Sequence, residues 1–307
     1  MLISFVIPSF NEQDNIPELI RRIDDTLKNE SYDYEFLFVD DGSSDKTLQV
    51  IKEISEIRSN VYFIELSKNF GHQNALKAGL DVALGDAVIS LDADLQHPPH
   101  VIPQLLRKWE EGYDIVYTKR AEDPGLSYFK RKTSRFFYKM MNKLSNIDIE
   151  NGTADFRLMN QSSVNAFRSF TERELFIRGL IKWMGFKQIG IDYTPDQRFA
   201  GKSKYSTKKM FQLAVRGITS FSTIPLQFAT ALGLIFSLSA LLYVPYVLYS
   251  YFSGHYVSGW TSLIVTIVFF GGIQLLLMGI FGLYLGKVFV ESKKRPSYIK
   301  RATKYRE

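Results

Sequence analysis

Two carboxylates separated by one residue, Asp92 and Asp94, follow the apolar run Ala87-Val88-Ile89-Ser90-Leu91. Such a run is typical of a buried parallel strand, and Pro98-Pro99 predicts the start of a helix soon after it. We therefore expect both carboxylates at the carboxyl end of a strand, where open α/β sheets bind ligands. With the amide oxygen of Gln96 they form a group of hard oxygen ligands suited to Mg²⁺ or Mn²⁺. A turn in which Asp caps the next helix is the alternative interpretation.

Further carboxylates follow the first two predicted strands. Glu12 comes after a strand that ends near Pro8, and Asp40 and Asp41 come after the strand Tyr34 to Val39. Like charges that crowd together repel, and a metal or a hydrogen-bonding ligand would relieve the repulsion. Any one of these Asp residues could be an ordinary turn residue, but their coincidence favours a binding site.

Short strands alternate with helices in this part of the chain. The apolar helix faces are Ile16, Leu19, Ile20, Ile23 and Leu27; Leu48, Ile51, Ile54 and Ile57; Leu76, Leu80 and Leu84; and Ile102, Leu105, Leu106 and Trp109. Val61 to Leu66 and Asp114 to Thr118 are further predicted strands. The alternation predicts an α/β fold with a mainly parallel sheet. No Gly-x-Gly-x-x-Gly follows the first strand, so the fingerprint of a dinucleotide site is missing.

The stretch from Gly217 to Gly286 contains no Asp, Glu, Lys or Arg. It holds two apolar segments, about Phe228 to Tyr249 and about Ser262 to Leu285. Each is near the roughly 20 residues that cross a bilayer, so we predict two transmembrane helices, with two buried core helices as the alternative. The loop of residues 250–259 has no Lys or Arg, whereas many basic residues precede and follow the spans. The positive-inside rule therefore places both termini in the cytoplasm and the loop outside.

Charge and composition narrow the class of protein further. The net charge of +6 comes largely from residues near the apolar segments, which indicates anionic lipid headgroups rather than nucleic acid as the partner. The 307 residues include no Cys, which excludes disulfides, thiol catalysis and Cys-based metal sites. The start of the chain lacks the basic region of a signal peptide and is interpreted as the first strand.

Three motifs resemble those of family-2 glycosyltransferases with the GT-A fold. They are Val6-Ile7-Pro8-Ser9-Phe10-Asn11-Glu12, Val39-Asp40-Asp41-Gly42-Ser43-Ser44-Asp45 and Asp92-Ala93-Asp94-Leu95-Gln96-His97-Pro98-Pro99. The chain is most similar to the polyprenyl-phosphate glycosyltransferases, namely dolichol-phosphate mannose synthases and bacterial bactoprenol glucosyltransferases. The resemblance implies a Rossmann-like GT-A domain at residues 1–200, a phosphate-clamping loop with an interfacial helix at 201–226, two transmembrane helices at 227–286 and a basic cytoplasmic tail at 287–307.

The resemblance also implies roles for individual residues. Those that would bind the nucleotide-sugar are Pro8, Phe10, Glu12, Val39, Asp41, Asp92, Ala93, Arg120, Arg198 and Lys204. Many relatives have Tyr where this chain has Phe10, so a phenol contact would be absent. Asp92, Asp94 and Gln96 would hold the metal. Arg120 would meet phosphate, and Arg198 and Lys204 would belong to a mobile clamping loop. Arg131 and Ser134 would bind the phosphate of the acceptor lipid.

Two other segments bear on the acceptor. Tyr128 to Lys143 interleaves aromatic and basic residues, which predicts an amphipathic helix on the membrane surface, with a packed helix as the alternative. Ser206 to Thr223 predicts a second interfacial helix. Asp155 lies in the polar segment Asn151 to Met159, where family members carry an acid near the acceptor nucleophile. A lipid phosphate is already ionised at neutral pH, so we expect Asp155 to position groups rather than act as a strong base. A structural ion pair with Arg157 or another Arg is the alternative.

The favoured hypothesis is an inverting glycosyltransferase at a bacterial inner membrane, with its catalytic domain in the cytoplasm. It would move a sugar, glucose from UDP-glucose by the resemblance, to polyprenyl (undecaprenyl) phosphate. Asp94, Asp155 and Arg120 would be the catalytic residues, and Mg²⁺ or Mn²⁺ the cofactor. The expected partners are the donor, the acceptor, the bilayer, a second copy of the chain, a downstream flippase and a second glycosyltransferase.

Three other functions are compatible with parts of the sequence. A processive polysaccharide synthase would carry Gln-x-x-Arg-Trp, whereas this chain offers only Arg178-Gly179-Leu180-Ile181-Lys182-Trp183. A noncatalytic nucleotide-sugar binder or assembly partner would bind without turnover. A metal-dependent nucleotidyltransferase would release pyrophosphate rather than a nucleoside diphosphate.

Overall fold

The computed structural model describes residues 1–120, 150, 152–173, 175–195, 219, 222–254 and 259–305. They form two compact units. One unit is built around an eight-stranded sheet and includes the C-terminal residues from Arg295 onward. The other contains two long apolar helices.

The strands are β1 (Leu2–Ser9), β2 (Asp33–Asp40), β3 (Val61–Leu66), β4 (Ala87–Ser90), β5 (Ile115–Arg120), β6 (Thr153–Asn160), β7 (Gln188–Tyr193) and β8 (Lys300–Lys304). The helices of the sheet unit are α1 (Ile16–Leu27), α2 (Thr47–Ile57), α3 (His72–Leu80), α4 (Ile102–Glu110), α5 (Gln161–Arg168) and α6 (Ile177–Trp183), and a single 3₁₀ turn, Pro99–Val101, precedes α4. The two long helices are α7 (Ile224–Phe252) and α8 (Trp260–Ser292).

Hydrogen bonds arrange the strands in the order β7-β5-β6-β4-β1-β2-β3-β8. The strands β1 to β4 run parallel to one another, and β7 runs parallel to β5. β6 is antiparallel to β4 and β5, and β8 is antiparallel to β3. The predicted mainly parallel sheet is confirmed. Three strands were not predicted: β6 lies in a segment interpreted as polar, β8 lies in the segment interpreted as a basic tail, and β7 had no interpretation.

Helices on both faces bury the central strands, which is why these strands are nearly continuous apolar runs. All five apolar residues predicted on α1 are buried. The predicted face of α2 is wrong at its end, because Ile57 is 85% exposed. Steps of three residues rotate around a helix by about 300° each, so Ile57 has drifted off the face that Ile51 buries. Leu84 was also predicted on a buried face, but it follows the end of α3 and is exposed.

The helix α3 packs very closely on the sheet. A Cβ added at Gly79 would lie 2.3 Å from Cγ1 of Val6 in β1 and 3.1 Å from Cγ2 of Val39 in β2. Because α3 begins at His72, this close packing also fixes the position of the His72 backbone.

The residues 298–305, which we call the C-terminal clasp, return the chain to the sheet unit after α8. The Tyr305 hydroxyl donates to Oε1 of the buried Glu35 at 2.6 Å and accepts the backbone N–H of Leu84 at 3.1 Å. The Tyr298 hydroxyl donates to Oδ2 of Asp81 at 2.8 Å. Burial raises the pKa of both tyrosines. The clasp is therefore held to the rest of the sheet unit by side-chain hydrogen bonds as well as by the pairing of β8 with β3.

The second unit is apolar along both helices. Ile224–Phe252 and Ser262–Ser292 have mean hydropathies of 2.0 and 2.4, and no residue of their apolar windows is buried within the described structure. The rings of Phe236 and Phe270 meet edge to face at 5.3 Å, and the Tyr284 hydroxyl donates to the carbonyl of Ser222 at 2.7 Å. Both helices are long and apolar enough to cross a membrane, and the lack of burial does not fit the alternative of two core helices.

Candidate active site

A cavity of about 270 Å³ opens at the carboxyl edge of the parallel strands. β1, β2 and β4 end there, and the loops that follow them supply half of its lining residues. Its lining consists of Pro8, Ser9, Phe10, Glu12, Asp41, Asn69, Gly71, His72, Ala75, Asp92, Ala93 and Asp94. The side chains are mostly small or acidic, which suits a polar ligand that brings its own cations or hydrogen-bond donors.

Two loops of this edge are bonded to each other through Asn11. Its backbone has φ = 57°, a left-handed conformation that Asn adopts more readily than most residues. Its Oδ1 accepts the N–H of Ser44 at 2.8 Å, and its own N–H donates to Oγ of Ser43 at 3.0 Å. The loops after β1 and β2 therefore form one wall of the cavity.

Asp41 joins the end of β2 to the loop before α3. Its two carboxylate oxygens accept the backbone N–H groups of Phe70 at 2.7 Å and Gly71 at 2.9 Å. Burial raises the pKa of Asp41, and the two N–H donors oppose that rise. The neighbouring Asp40 does not line the cavity: it is buried and accepts the N–H of Ser43 at 3.2 Å. Of the two carboxylates at the end of β2, Asp41 lines the cavity and Asp40 does not.

The loop after β4 has a strained backbone at Leu95. This buried residue has φ = 61°, which is unfavourable for a side chain other than Gly, Asn or Asp. The turn brings the N–H of Gln96 to Oδ1 of Asp94 at 3.1 Å. Strain of this kind is commonly kept where it shapes a functional site.

His97 holds the backbone of the same loop. Its Nδ1 accepts the N–H of Asp92 at 3.0 Å, so its ring proton lies on Nε2. The ring is buried and stacks on Phe156 at 5.2 Å with an interplanar angle of 21°. His97 therefore fixes the peptide of Asp92 in place.

His72 lies between two carboxylates. Its Nε2 is 3.4 Å from Oδ1 of Asp92 and 3.7 Å from Oδ2 of Asp155. Burial opposes a charge on the ring, but the two carboxylates outweigh it and raise the pKa of His72 to about 9. The site thus contains a cation, the His72 ring, that was not among the predicted site residues.

Asp155 is enclosed by cations. Its Oδ1 accepts from Arg157 Nη2 at 2.9 Å and Arg178 Nε at 3.0 Å, and its Oδ2 accepts from Arg178 Nη2 at 3.0 Å and Gln73 Nε2 at 3.4 Å. Burial alone would raise the pKa of Asp155, but Arg178, His72 and Arg157 hold it well below its usual value. The structure therefore contains the ion pair between Asp155 and arginine that was the alternative expectation.

Arg120 lies at the same edge, at the end of β5. It pairs in register with Tyr193 of β7, and burial raises the pKa of that tyrosine to about 12. The charges of Arg120, Asp92 and Asp94 all act on the Tyr193 hydroxyl. Arg120 thus shares Tyr193 as a neighbour with the two carboxylates, although it does not line the cavity.

The cavity brings together most of the expected donor-binding residues that the structure describes. Six of them line it, namely Pro8, Phe10, Glu12, Asp41, Asp92 and Ala93, and so does Asp94, which is expected to hold the metal. Val39 does not, because it is fully buried beside α3. Gln96 is half-buried next to Asp94 without lining the cavity. Arg131, Ser134, Arg198 and Lys204 lie outside the described residues, as does the segment Tyr128 to Lys143.

Sequence reasoning missed three polar side chains of the site. His72 could have been found, because it follows a predicted strand on the edge that carries the carboxylates. Arg178 stood out only in the incomplete match to the Gln-x-x-Arg-Trp motif of processive polysaccharide synthases. Tyr193 carried no signal, because β7 was not predicted.

The acidic residues suit a metal ion that a bound ligand would also coordinate. In the described part of the chain, no group of three or more His, Asp and Glu could hold a metal ion alone. Asp92 and Asp94 line the cavity, and Oδ1 of Asp92 is buried without a hydrogen bond. Mg²⁺ commonly binds one or two carboxylates together with substrate phosphates. The donor set therefore suits a divalent ion completed by a bound diphosphate.

Solved structures support the fold. The chain superposes on mannosyl-3-phosphoglycerate synthase from Rubrobacter xylanophilus with a TM-score of 0.51 at 18% identity, covering 72% of this chain and 73% of that one. Glucosyl-3-phosphoglycerate synthase from Mycobacterium tuberculosis, in complex with Mn²⁺, UDP and phosphoglyceric acid, gives 0.50 at 18% identity, covering 71% and 76%. These are neighbours with the GT-A fold, which confirms the expected fold class.

Sequence relatives cover nearly the whole chain. An uncharacterised glycosyltransferase of Bacillus subtilis is 42% identical over 96% of this chain and 92% of its own length. A prophage bactoprenol glucosyl transferase homologue of Escherichia coli is 41% identical over 99% and 100%. The bactoprenol glucosyl transferase of Shigella phage SfV is 41% identical over 97% and 98%. The profile of glycosyl transferase family 2 matches residues 4–167, more than half of the chain. With the cavity, the fold and these relatives in agreement, the chain belongs to glycosyl transferase family 2.

Proposed function

We propose that this glycosyltransferase moves glucose from UDP-glucose to polyprenyl phosphate and inverts the anomeric centre. The observation that carries the proposal is the cavity at the carboxyl edge, where six of the residues expected to bind the nucleotide-sugar come together. The two apolar helices suit an enzyme with a lipid acceptor. Relatives named bactoprenol glucosyl transferases, about 40% identical, support the choice of sugar and acceptor.

The donor would lie along the cavity with its nucleoside against the loops after β1 and β2. Phe10 offers an exposed ring for packing, and Pro8 and Glu12 lie beside it on the same wall. Asp41 is held rigidly by its two backbone donors, so it can present a fixed acceptor edge to the base. Ala93, between the two acidic residues, leaves room for the sugar.

The departing diphosphate needs positive charge. Asp94, with Asp92 and Gln96, would hold Mg²⁺ or Mn²⁺, which when bound stabilises the negative charge on the leaving diphosphate. Arg120 would bind the phosphates from the end of β5. Arg198 and Lys204 would close on them from the clamping loop.

In the reaction, a phosphate oxygen of the acceptor bonds to the anomeric carbon on the face opposite the diphosphate. The bond from that carbon to the diphosphate oxygen breaks, and its electron pair leaves with UDP. Because the acceptor is already ionised, no proton has to be removed. The low pKa of Asp155 fits this chemistry, since its ionised carboxylate can position Arg178 and His72 but accepts a proton poorly. Arg131 and Ser134 would hold the acceptor phosphate.

The C-terminal clasp supports the proposed topology. A chain that leaves the sheet, passes through α7 and α8 and returns to the sheet as β8 crosses a bilayer an even number of times. The basic residues on both sides of the spans then favour the cytoplasm for the sheet unit and both termini. A second copy of the chain, a flippase and a second glycosyltransferase remain part of the proposal through the resemblance alone.

The test is the transfer of label from a panel of radiolabelled nucleotide-sugars into organic-extractable lipid. Membranes containing the protein receive undecaprenyl phosphate and either Mn²⁺ or EDTA. We expect metal-dependent label from UDP-glucose in a single lipid-linked monosaccharide, and none with Asp94→Ala. Asp25→Asn, a change on the exposed surface of α1, is the matched control and should keep full activity.

Each contrary outcome points to another function. Full activity of Asp94→Ala would refute the metal assignment. A polymeric product would indicate a processive synthase. Nucleotide-sugar binding without transfer from any donor would indicate a noncatalytic protein, and release of pyrophosphate would indicate a nucleotidyltransferase.

A further inference from the structure

One polar side chain lies in the middle of the apolar helix α8. Gln274 is about 18 Å along the helix from Ser262 and about 17 Å from Leu285, the two ends of the predicted span. The hydrocarbon core of a bilayer is about 30 Å thick, so a helix that crosses it places Gln274 near the centre. A glutamine side chain is too short to reach the headgroups from that depth.

Other polar side chains of this span have hydrogen bonds. The hydroxyl of Thr266 donates to the carbonyl of Ser262 at 2.7 Å, and that of Tyr284 donates to the carbonyl of Ser222 at 2.7 Å. The Gln274 side chain is exposed and has no hydrogen bond to any residue that the structure describes. An unpaired amide is strongly unfavourable in hydrocarbon, because no water is there to bond it. Gln274 therefore needs a partner within the bilayer.

The helix α7 does not supply that partner, although it lies close by. The rings of Phe236 in α7 and Phe270 in α8 meet edge to face at 5.3 Å, one helical turn before Gln274. Gln274 itself stays exposed, and so does Met278, one turn further along α8. The side of α8 that carries these two residues is therefore open to another molecule.

The backbone on this side of α8 is also accessible. Gly271 and Gly282 share the side with Gln274 and Met278, since the spacings of three, four and four residues follow one face of a helix. A Cβ added at either glycine would meet nothing within 4 Å. A second helix could thus come close enough for side chains as short as glutamine to reach each other.

We propose that a second copy of this chain packs against this side of α8, and that the two Gln274 side chains hydrogen-bond to each other. An amide has both a donor and an acceptor, so two identical amides can satisfy one another across a two-fold axis. Copies inserted in the same orientation hold Gln274 at the same depth, and an axis along the bilayer normal brings the two amides together. Lipid tails offer no such partner. The inference rests on the proposed topology, in which α8 crosses the bilayer, and not on the choice of sugar or acceptor.

The test is disulfide crosslinking, which the chain suits because it contains no Cys of its own. Met278→Cys and Leu276→Cys are made separately in the full-length protein, which is then reconstituted in liposomes. The two positions are 62% and 58% exposed. They differ by only about 3 Å in depth, but Leu276 lies about 200° around the helix from Gln274. Under the same oxidation we expect a covalent dimer from Met278→Cys and little from Leu276→Cys.

The role of the amide is tested in the Met278→Cys background. Adding Gln274→Leu should weaken the dimer about tenfold when the protein is diluted with added lipid, the worth of one hydrogen bond between membrane helices. Gln274→Asn keeps an amide and should weaken the dimer less. A dimer that is indifferent to Gln274→Leu would overturn the inference, because the amide would then contribute nothing to the contact.

The remaining outcomes separate this inference from the proposals around it. Equal crosslinking at positions 276 and 278 would indicate random collision and would overturn the inference. In native membranes, an adduct of Met278→Cys with a different protein, in place of the dimer, would assign this side of α8 to that protein instead. Reaction of Met278→Cys with a membrane-impermeant maleimide would refute the topology and the inference together. Sugar transfer is measured separately, so its failure would refute the proposed function while the crosslinking result still decides this inference.

Discussion

Arg178 binds Asp155 through both arms of its guanidinium fork, with Nε 3.0 Å from Oδ1 and Nη2 3.0 Å from Oδ2. Two parallel charge-assisted hydrogen bonds are among the strongest side-chain contacts in proteins. Because Arg157 adds a third donor, the buried carboxylate keeps its charge and has little capacity to take a proton. The pair turns Asp155, which the family resemblance implies to be near the acceptor, into a structural anchor for the surrounding cations.

We predict that Arg178→Leu destabilises the protein by about 3 kcal/mol, because the buried Asp155 loses two charge-assisted hydrogen bonds and keeps Arg157 as an ion-pair partner. Arg178→Lys should cost less, since it keeps the charge but loses the fork. The measurement is denaturant unfolding of the full chain in detergent. In the double variant Arg178→Leu with Asp155→Asn, the cost should be smaller than the sum of the single changes. Strict additivity would contradict a direct pair.

The carboxylates of the cavity could be predicted because their signal is local. Asp92 and Asp94 directly follow an apolar run that predicts a strand. Because strands that alternate with helices are parallel, the carboxyl ends of these strands meet at one edge of the sheet. The pairing of Arg178 with Asp155 could not be predicted in the same way. It depends on β6 entering the sheet antiparallel between β4 and β5, and nothing in the local pattern of residues 153–160 reports that strand order.

The C-terminal clasp was missed for a related reason. Three of the five residues of the segment Lys300–Lys304 are basic and it has no apolar face, so its sequence is typical of a solvated tail. Its strand conformation comes from the free edge of β3 and from tyrosines that reach buried partners far away in sequence. Contacts of this kind are set by tertiary structure and override local propensity.

We predict that Tyr305→Phe loosens the clasp without unfolding the sheet unit. The change removes one donor to Oε1 of the buried Glu35, which keeps the Ser4 hydroxyl, and the acceptor of the Leu84 N–H, and a lost hydrogen bond costs about 1 kcal/mol. Hydrogen exchange of the amides of β8 should become faster, while exchange in β1 should stay slow. Trypsin should cut more rapidly after Lys300 and Arg301. Unchanged exchange and cleavage would show that the strand pairing alone holds the clasp.

The clasp should also make stability fall at alkaline pH. Burial raises the pKa of Tyr305 and Tyr298 above their ordinary value of 10.0. Between the unfolded and folded pKa values the unfolded state has lost protons that the folded state keeps, so the stabilisation is complete below about pH 10 and is lost as the pH rises. Unfolding curves at about pH 9 and pH 11 should differ less for the double variant Tyr298→Phe with Tyr305→Phe than for the wild type. An equal decline in both proteins would assign the alkaline loss to other groups.

The strained turn at Leu95 gives a prediction with a matched pair of variants. Leu95→Ile and Leu95→Met conserve most of the buried volume, but only Ile is β-branched, and β-branched residues fit a φ of 61° poorly. We expect Leu95→Ile to cost about 1–2 kcal/mol more than Leu95→Met in denaturant unfolding. Because the turn sets Asp94 and Gln96, Leu95→Ile should also require more Mn²⁺ for half-maximal transfer. Equal metal requirements in the two variants would separate the turn from the metal site.

The last prediction concerns the contact between α3 and the sheet. A Cβ at Gly79 would meet Cγ1 of Val6 at 2.3 Å, far closer than carbon atoms approach one another, so Gly79→Ala must push α3 outward. Overpacking of this kind costs about 1–3 kcal/mol. Since His72 begins the same helix and lines the cavity with Asp92, its ring should move away from Asp92, and the affinity for UDP-glucose should fall. Val6→Ala removes the clashing methyl groups, so the double variant Gly79→Ala with Val6→Ala should regain part of both the stability and the affinity. A double variant that loses the sum of the two single costs would show that the added Cβ does not clash with Val6.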